Sequence, residues 1–251
     1  MIVTLLTDFG DFYPGVMKGV ILSLAPETRV VDICHTVEPQ NVLQGAFLLY
    51  NSYRFFKSAV HVAVVDPEVG SERRAIAVKT KNHVFIAPDN GIVYPSASED
   101  GIERVYEIDL SISKLVGELS YTFHGRDVFA PAAALAVRGD LWKFCNEIED
   151  MKKLELFDYK IESDRIVCRV VFIDRFGNLV TNLKAKDINA KRFYLKGIEF
   201  PLVKTYSDVK IGEPLALIGS FGTLELSVRN GNASELLGID KGGVEIELEV
   251  S

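Results

Sequence analysis

Residues 1–34 read "MIVTLLTDFGDFYPGVMKGVILSLAPETRVVDIC". Two short apolar runs, "MIVTLLT" and "RVVDIC", flank "PGVMKGVILSLA", whose apolar residues recur at helical spacing, so the stretch predicts a strand, a helix and a second strand. The same rhythm continues in "NVLQGAFLLYNSYRFF" and "VHVAVVD". Such alternation is typical of βαβ units, in which helices cover a largely parallel sheet. We therefore predict an α/β fold for this part of the chain.

The pattern changes after the charged, helix-compatible stretch "EIEDMKKLELFDYK" at residues 147–160. Short alternating strands follow at close spacing, among them "RIVCRVVFID", "RFYLKGIEF", "TLELSV" and "GVEIELEV", with Gly and Asn turns between them. Regular short strands of this kind indicate a small all-β barrel or sandwich. We predict an N-terminal α/β catalytic domain over residues 1–158 and a smaller C-terminal all-β, barrel-like domain over residues 159–251.

Composition excludes several classes of function. The chain has 251 residues, 48% of them hydrophobic, and a formal net charge of -7. Because a nucleic-acid partner calls for a clustered positive surface, we expect none. No apolar run approaches the roughly 20 residues of a membrane helix, and the start lacks a basic leader, so we expect no membrane partner. The three scattered cysteines favour neither a disulfide framework nor a CxxC metal site, and a reducing cytoplasm is the expected location.

Charged side chains follow the buried strand in "VVDPEVGSERRAIAV", residues 64–78. Asp66 ends the apolar run, and a turn containing Pro67 and Gly70 then brings Arg73 and Arg74. A carboxylate at the end of a buried strand loses solvation unless a cation pairs with it, and a guanidinium can return to do so. The pair is consistent either with a structural salt bridge or with a site for an activated water or a bound anion.

A histidine stands in a second charged segment, "YTFHGRDVFAPAAALAV". His124 precedes a predicted helix of small apolar residues, and Arg126 and Asp127 follow it closely. Free backbone N–H groups at a helix start favour an anion. A capping or surface role and a functional role remain equally open for His124. A further turn, residues 88–91 "PDNG", is predicted to close a hairpin between "AIAVKT" and "HVFIA", with Asp89 a turn residue.

The C-terminal part contains its own candidate in "FIDRFGNLVTN". Asp174, Phe176 and Asn178 lie in one tight turn between two predicted strands. Asp and Asn are common in turns for backbone reasons alone. Together, however, an acid, an aromatic ring and an amide suit a ligand that carries an amino group and a heterocycle.

Six blocks in order, "TDFG", "VVDPEVGSERRAIAV", "IAPDNG", "TFHGRDVFAP", "IDRFGNLVTN" and "GSFGTLELSVRNGNA", resemble the S-adenosylmethionine hydroxide adenosyltransferases. These hydrolases are related to the fluorinase and chlorinase enzymes. The resemblance implies attack of water or hydroxide on ribose C5′ of S-adenosyl-L-methionine, giving adenosine and L-methionine. Because the methionine leaves as a neutral thioether, no general acid is needed. It also implies no cofactor, no metal, and a homotrimer with active sites shared between subunits.

The resemblance also implies roles for individual residues. Asp66, Arg73 and His124 match the catalytic carboxylate, guanidinium and imidazole. The substrate-binding positions that it implies are Asp8 for the ribose hydroxyls, Phe123 as a wall of the nucleophile pocket, Asp174 for the methionine ammonium, Phe176 and Asn178 in the same turn with the amide on adenine, Tyr206 stacked on adenine, Ser220 at the methionine end, and Asn230 in the last block.

Three other interpretations remain. A related halogenase is less consistent, because those enzymes carry a tyrosine and a "YS" pair where this chain has Asp66 and His124–Gly125. A non-catalytic binder of adenosine or S-adenosylmethionine would use Asp66 and Arg73 only as a structural pair. A metal-dependent hydrolase would use Asp8, Asp66 and His124 as ligands. Glu68 departs from the family pattern, in which we expect a glycine.

Overall fold

The structure is a computed structural model that describes residues 1–251. The chain divides into two compact units, Met1–Leu154 and Glu155–Ser251. None of its helices combines the length and the apolar character that a membrane span requires.

The N-terminal unit is built on a mixed seven-stranded sheet with helices against it. Its elements are β1 (Ile2–Thr7), α1 (Phe12–Leu24), β2 (Arg29–Cys34), α2 (Val42–Ser52), β3 (Ala59–Val64), β4 (Ala75–Thr80), β5 (Val84–Pro88), α3 (Tyr94–Asp100), β6 (Ile102–Ile108), a π-helical turn (Gly125–Phe129), α4 (Ala130–Arg138) and β7 (Cys145–Ile148). The spatial order is β2-β1-β3-β5-β4-β6-β7.

The first four neighbours in that order, β2, β1, β3 and β5, run parallel, whereas β4, β6 and β7 add antiparallel pairs. All six residues of β3 are buried, as expected for a central strand covered on both faces. The small residues of α4 pack closely against α1 and the sheet. The predicted α/β architecture of this unit is therefore confirmed. The parallel strands bring the loops that follow β1 and β3 to the same edge of the sheet.

Two local predictions for this unit were wrong. Strands β4 and β5 do pair antiparallel, but the turn between them is Lys81–His83, and residues 88–91 instead lead from β5 towards α3. The helix-compatible stretch 147–160 contains no helix: it begins in β7, ends at the first residue of β8 and has no helix or strand between them. Its backbone is held by tertiary bonds, because Lys152 N donates to Asp89 Oδ1 at 2.7 Å.

The C-terminal unit is antiparallel and nearly closed, as predicted. Its elements are β8 (Lys160–Ile161), β9 (Arg165–Ile173), β10 (Leu179–Lys184), β11 (Arg192–Leu195), β12 (Ile198–Pro201), β13 (Pro214–Ile218), β14 (Thr223–Val228), α5 (Ala233–Leu237) and β15 (Val244–Val250). The sheet order is β12-β11-β15-β9-β10-β14-β13, with β8 beside β9. The two end strands approach each other where Val203 N donates to Ala216 O at 2.9 Å, which gives the sheet its barrel-like form.

Candidate active site

The N-terminal unit joins three predicted site residues in one hydrogen-bonded group. Arg73 Nε lies 3.0 Å from both carboxylate oxygens of Asp66, and Arg73 Nη2 donates to Asp66 Oδ2. The same Nη2 lies 2.8 Å from His124 Nδ1. The Asp66 and Arg73 side chains are only 4% and 2% exposed, and His124 is 3% exposed. A buried charge pair with an imidazole in contact is therefore present at the carboxyl end of β3.

A glycine brings the two loops together. Gly70 has a φ of 79°, and a Cβ atom on it would lie 2.3 Å from the backbone oxygen of Tyr121. Only glycine fits both the left-handed backbone and this close approach. The loop that carries Asp66 and Arg73 thus packs directly on the segment that precedes His124.

Two nitrogen atoms of this group have no partner. Arg73 Nη1 and His124 Nε2 are both buried and form no hydrogen bond. Because Arg73 can only donate, His124 Nδ1 must accept, and the proton of the neutral imidazole then lies on Nε2. Burial and the adjacent Arg73 charge lower the pKa of His124, which keeps the ring neutral. The group therefore presents unsatisfied N–H donors, which suit a water or hydroxide oxygen.

The loop that carries His124 is fixed by a second buried carboxylate. Asp127 is 1% exposed; its Oδ2 accepts from Ser120 N at 2.8 Å, and its Oδ1 lies 2.5 Å from Arg126 Nε. The sequence alone identifies Asp127 and Arg126 only as charges near His124. Their contacts make them residues that position His124.

Asp8 and Phe123 lie at the same sheet edge. Asp8 Oδ2 accepts from Gln40 N at 2.8 Å, and burial first, with the nearby Asp66 charge as a smaller cause, raises the pKa of Asp8. The Phe123 ring packs edge-on against Phe9 and Tyr13, with ring centroids 5.8 and 5.0 Å away. Asp8 is thus close to the three-residue group, and an aromatic cluster stands beside it.

The second arginine of the pair, Arg74, binds carboxylates outside this group. Arg74 Nε donates to Asp89 Oδ2 at 2.9 Å, and Arg74 Nη1 donates to Asp150 Oδ1 at 2.9 Å. Glu68, the departure from the family pattern, pairs with Lys152 at 3.2 Å and is half exposed. Both side chains line an open cavity of about 530 Å³. Arg74 and Glu68 therefore have partners of their own, outside the buried group.

No cluster of three or more His, Cys, Asp or Glu side chains in residues 1–251 is arranged to hold a metal ion. Asp66 and His124 are bound instead to the Arg73 guanidinium. A cation inserted between them would meet that positive charge.

The C-terminal unit gathers five predicted residues around one cavity of about 440 Å³. The lining side chains are Asp174, Phe176, Asn178, Tyr206 and Asn230, together with Val228 and Gly231. Asp174 Oδ1 accepts from the backbone N of Phe176 and of Asn178, and its Oδ2 accepts from Asn178 Nδ2 at 2.8 Å. These bonds shape the turn and leave the Asn178 amide oxygen for a ligand. Phe176, 69% exposed, offers an open ring face.

A second cavity of about 570 Å³ adjoins the first, because Asp174 and Tyr206 line both. Ser220 lies here rather than in the first cavity. So does Glu225, a residue that sequence reasoning missed. It is 7% exposed and accepts from Tyr206 Oη at 2.5 Å and from Ser227 Oγ at 2.9 Å. The signal that could have found it is an acid inside the otherwise apolar or hydroxylic strand "TLELSV".

These features define a two-unit protein: an α/β unit that holds a buried acid–arginine–histidine group at its sheet edge, and a β unit with a polar and aromatic double cavity. The family model described as SAM hydroxide adenosyltransferase N-terminal domain matches residues 3–145, and its C-terminal counterpart matches residues 168–244. The chain belongs to the SAM hydroxide adenosyltransferase family.

Individual relatives agree with this assignment. The chain is 37% identical to the (R)-S-adenosyl-L-methionine hydrolase of Methanocaldococcus jannaschii, over 95% of this chain and 92% of that protein. It is 28% identical to the fluorinase of Nocardia brasiliensis, over 99% and 97%. A solved structure of an uncharacterized conserved protein from Thermotoga maritima superposes with a TM-score of 0.86 at 35% identity, covering 99% of both chains.

Proposed function

We propose that this protein is a hydrolase that converts S-adenosyl-L-methionine and water to adenosine and L-methionine. The observation that carries the proposal is the buried Asp66–Arg73–His124 group with its two unpartnered donors. Relatives at 33–37% identity are named for hydrolysis of the (R)-sulfonium epimer, so that epimer belongs among the substrates to be assayed.

In the proposed mechanism, Arg73 Nη1 and His124 Nε2 hold the oxygen of one water, and Asp66 accepts its hydrogen. The water oxygen forms a bond to C5′ while the C5′–S bond breaks, and its electron pair stays on sulfur. The sulfonium becomes a neutral thioether, so the leaving group needs no proton, and the water proton passes through Asp66 to solvent. Arg73 stabilises the developing hydroxide, because a fixed positive charge is most effective in a buried site.

We propose binding roles for the remaining residues. Asp8 accepts from the two ribose hydroxyls, and Phe123 shields the nucleophile from bulk water. In the first cavity of the C-terminal unit, Asn178 reads adenine, with Phe176, Tyr206 and Asn230 around the ring. Ser220 and Asp174 contact the methionine end of the substrate. The N-terminal unit would thus be catalytic, and the C-terminal unit would select the substrate.

Hydrolysis is favoured over halogenation by the chemistry of Asp66. A water molecule can donate a hydrogen bond to this carboxylate, whereas a halide cannot and would be repelled by it. The N–H group at His124 Nε2 can donate a hydrogen bond to either nucleophile. Asp66 is therefore the residue that discriminates between them.

We further propose a metal-independent enzyme that works in the cytoplasm as a homotrimer. Three free cysteines are compatible with a reducing compartment. In the trimer, each active site would combine the N-terminal unit of one subunit with the C-terminal unit of the next. An isolated subunit would then be inactive.

The experiment that tests the function uses water enriched in heavy oxygen. The purified protein is incubated with both sulfonium epimers of S-adenosylmethionine, with and without chelator, and the products are analysed by mass spectrometry. Heavy oxygen at the 5′ position of adenosine, formed despite chelator and lost in Asp66→Asn, is the expected result. A bound but unchanged substrate would make the protein a binder, and activity lost to chelator would make it a metalloenzyme.

A further inference from the structure

His35 contacts both ends of the short segment that carries Asp8. Its ring nitrogen Nδ1 lies 2.9 Å from Thr7 Oγ1, and its backbone oxygen accepts from Gly10 N at 2.9 Å. Thr7 is fully buried, and Thr7 Oγ1 also accepts from Phe9 N at 3.3 Å. His35 follows β2, the parallel neighbour of β1. One residue of the neighbouring loop therefore fixes the chain just before and just after Asp8.

The ring of His35 is oriented by an acid on its other side. Its Nε2 is buried and lies 3.0 Å from Asp32 Oδ1, an ion-pair distance without the alignment of a hydrogen bond. Lys18 Nζ donates to the other oxygen, Asp32 Oδ2, at 2.5 Å. A carboxylate beside Nε2 favours a proton on that nitrogen, so Nδ1 of the neutral ring can accept the hydrogen of the Thr7 hydroxyl. Asp32 thus favours the tautomer with which His35 binds Thr7.

The loop that begins at His35 also binds the carboxylate of Asp8. Gln40 N donates to Asp8 Oδ2 at 2.8 Å. Gln40 has a φ of 66°, a left-handed backbone that is uncommon for a residue with a side chain. Such conformations persist where the surrounding structure holds them, and they cluster at functional sites. Residues 35–40 therefore hold both the backbone around Asp8 and one of its carboxylate oxygens.

We propose that His35 is a positioning residue for Asp8: its bond to Thr7 holds the Asp8 carboxylate where it accepts from the ribose hydroxyls of the substrate. The inference rests on the proposed function, since it adds a residue to the ribose side of the same site. A carboxylate that is already fixed loses little freedom when the ribose binds. Once released from His35, Asp8 should distinguish the two hydroxyls less well.

A second threonine–histidine pair on β1 provides a structural comparison. Thr4 Oγ1 lies 2.7 Å from His61 Nδ1, and Thr4 is fully buried, as Thr7 is. The other ring nitrogen of His61 lies 3.1 Å from His83 Nδ1, so this pair belongs to the interior of the unit rather than to the site. Thr4→Val and Thr7→Val each delete one buried hydroxyl from the same strand and keep the branched shape. Together they separate positioning of Asp8 from general support of the sheet.

The test measures ribose recognition at equilibrium, so it does not depend on turnover. Adenosine and 2′,3′-dideoxyadenosine, which lacks two ribose hydroxyls, are titrated into the full-length protein by calorimetry. We expect the wild type to bind adenosine at least roughly 100-fold more tightly, the range for two hydrogen bonds to a charged carboxylate. Thr7→Val should reduce this preference on the order of 10-fold, whereas Thr4→Val should keep it.

Two substitutions of His35 separate its two side-chain contacts. An asparagine places its amide near the position of Nδ1, so His35→Asn can still accept from Thr7 and should retain the preference. A glutamine places its amide near the position of Nε2. His35→Gln therefore reaches Asp32 but not Thr7, and it should lose as much of the preference as Thr7→Val. When His35→Gln is added to Asp8→Asn, no further loss is expected, because His35 acts through Asp8.

Equal wild-type affinity for the two nucleosides would overturn the proposal, as would a preference that survives Thr7→Val or His35→Gln. If His35→Gln does not fold, Thr7→Val carries the comparison. An equal loss in Thr4→Val would assign the effect to general destabilisation, and a further loss on adding His35→Gln to Asp8→Asn would show that His35 does not act through Asp8. If S-adenosylmethionine is not hydrolysed, the proposed function fails, but the ribose preference still reports on His35.

Discussion

Two neighbouring arginines show how one residue position decides a role. Arg73 binds Asp66 and His124 in a buried group, whereas Arg74 bridges Asp89 and Asp150 near the surface. Both precede β4 and line one open cavity, so their different partners rather than their distance along the chain separate their roles. The sequence alone left the choice between them open, because both follow the same turn.

This difference predicts that the same substitution has a large effect at Arg73 and a small one at Arg74. A lysine carries one ammonium nitrogen in place of the planar guanidinium. The side chain in Arg73→Lys therefore cannot bind Asp66 through two nitrogens and also donate to His124. We expect its kcat/KM for S-adenosylmethionine to fall on the order of 100-fold or more. Arg74→Lys should stay within about threefold of the wild type, because Asp89 still receives a donor. Equal losses in both variants would contradict the assignment of Arg73.

At the scale of elements, the loop between β3 and β4 carries the site, and Gly70 fixes its path. Gly139, the residue after α4, has the same φ of 79°, but a Cβ atom on it would have no atom within 4 Å. It is therefore a matched control for backbone strain without steric clash.

We expect Gly139→Ala to lower the free energy of unfolding by about 1 kcal/mol, the ordinary cost of a left-handed alanine. Gly70→Ala adds a collision with the Tyr121 carbonyl and should cost at least about 2 kcal/mol more, with a loss of activity as His124 and Arg73 separate. The fluorescence of Trp142, the only tryptophan, follows urea unfolding of the N-terminal unit. Similar losses in the two variants would show that the contact with Tyr121 is unimportant.

The elements that could be predicted are those whose burial follows from the pattern of apolar residues in their own sequence. Strand β3 is apolar throughout apart from His61, and the alternation of the C-terminal strands follows their sheet. The turn at Lys81–His83 was missed because a distant residue stabilises it: Asn82 donates to both oxygens of Asp100. Residues 147–160 have helical propensity, but long-range bonds from Arg74 to Asp150 and from Lys152 N to Asp89 compete with a helix.

The same limit applies to the site. Its acids and bases could be predicted from short blocks, but the unpartnered nitrogens of Arg73 and His124 depend on contacts 51 residues apart. Glu225 was missed because one acid in a strand is usually an exposed position of the alternation. Its burial becomes visible only in the folded unit, where β14 pairs with β10 on one edge and β13 on the other and all six of its residues are buried.

At the scale of the whole molecule, buried histidines link the stability of the N-terminal unit to pH. His61 is fully buried between Thr4 Oγ1, 2.7 Å away, and His83 Nδ1, 3.1 Å away. Burial, with a smaller effect of His83, lowers the pKa of His61 from 6.5 to about 3. The pKa of His83 is also lowered, mainly by burial, against the opposing charge of Asp100.

A depressed histidine pKa makes the unfolded state bind more protons below pH 6.5. The contribution of neutral His61 to the free energy of unfolding is therefore fully present above that pH and is lost as the pH falls towards 3. For His61 alone the loss is up to about 1.4 kcal/mol per pH unit. Urea unfolding followed by Trp142 between about pH 7 and about pH 4.5 should show this decline. His61→Phe should flatten it, leaving the part due to His83 and His124. An unfolding free energy that is constant over this range would contradict the prediction.

The proposed trimer predicts that activity requires residues from two different subunits. If each active site takes Asp66 from one subunit and Asn178 from the next, then Asp66→Ala and Asn178→Ala subunits are each inactive alone. When the two are co-expressed and assemble at random, a site is intact only where an unmutated Asp66 meets an unmutated Asn178, which holds for about a quarter of the sites. We expect roughly that fraction of wild-type kcat from the mixture, with sedimentation giving the mass of a trimer. If each site were instead formed within a single chain, every site in the mixture would lack one of the two residues. An inactive mixture of folded trimers would therefore show that each subunit contains its own complete site.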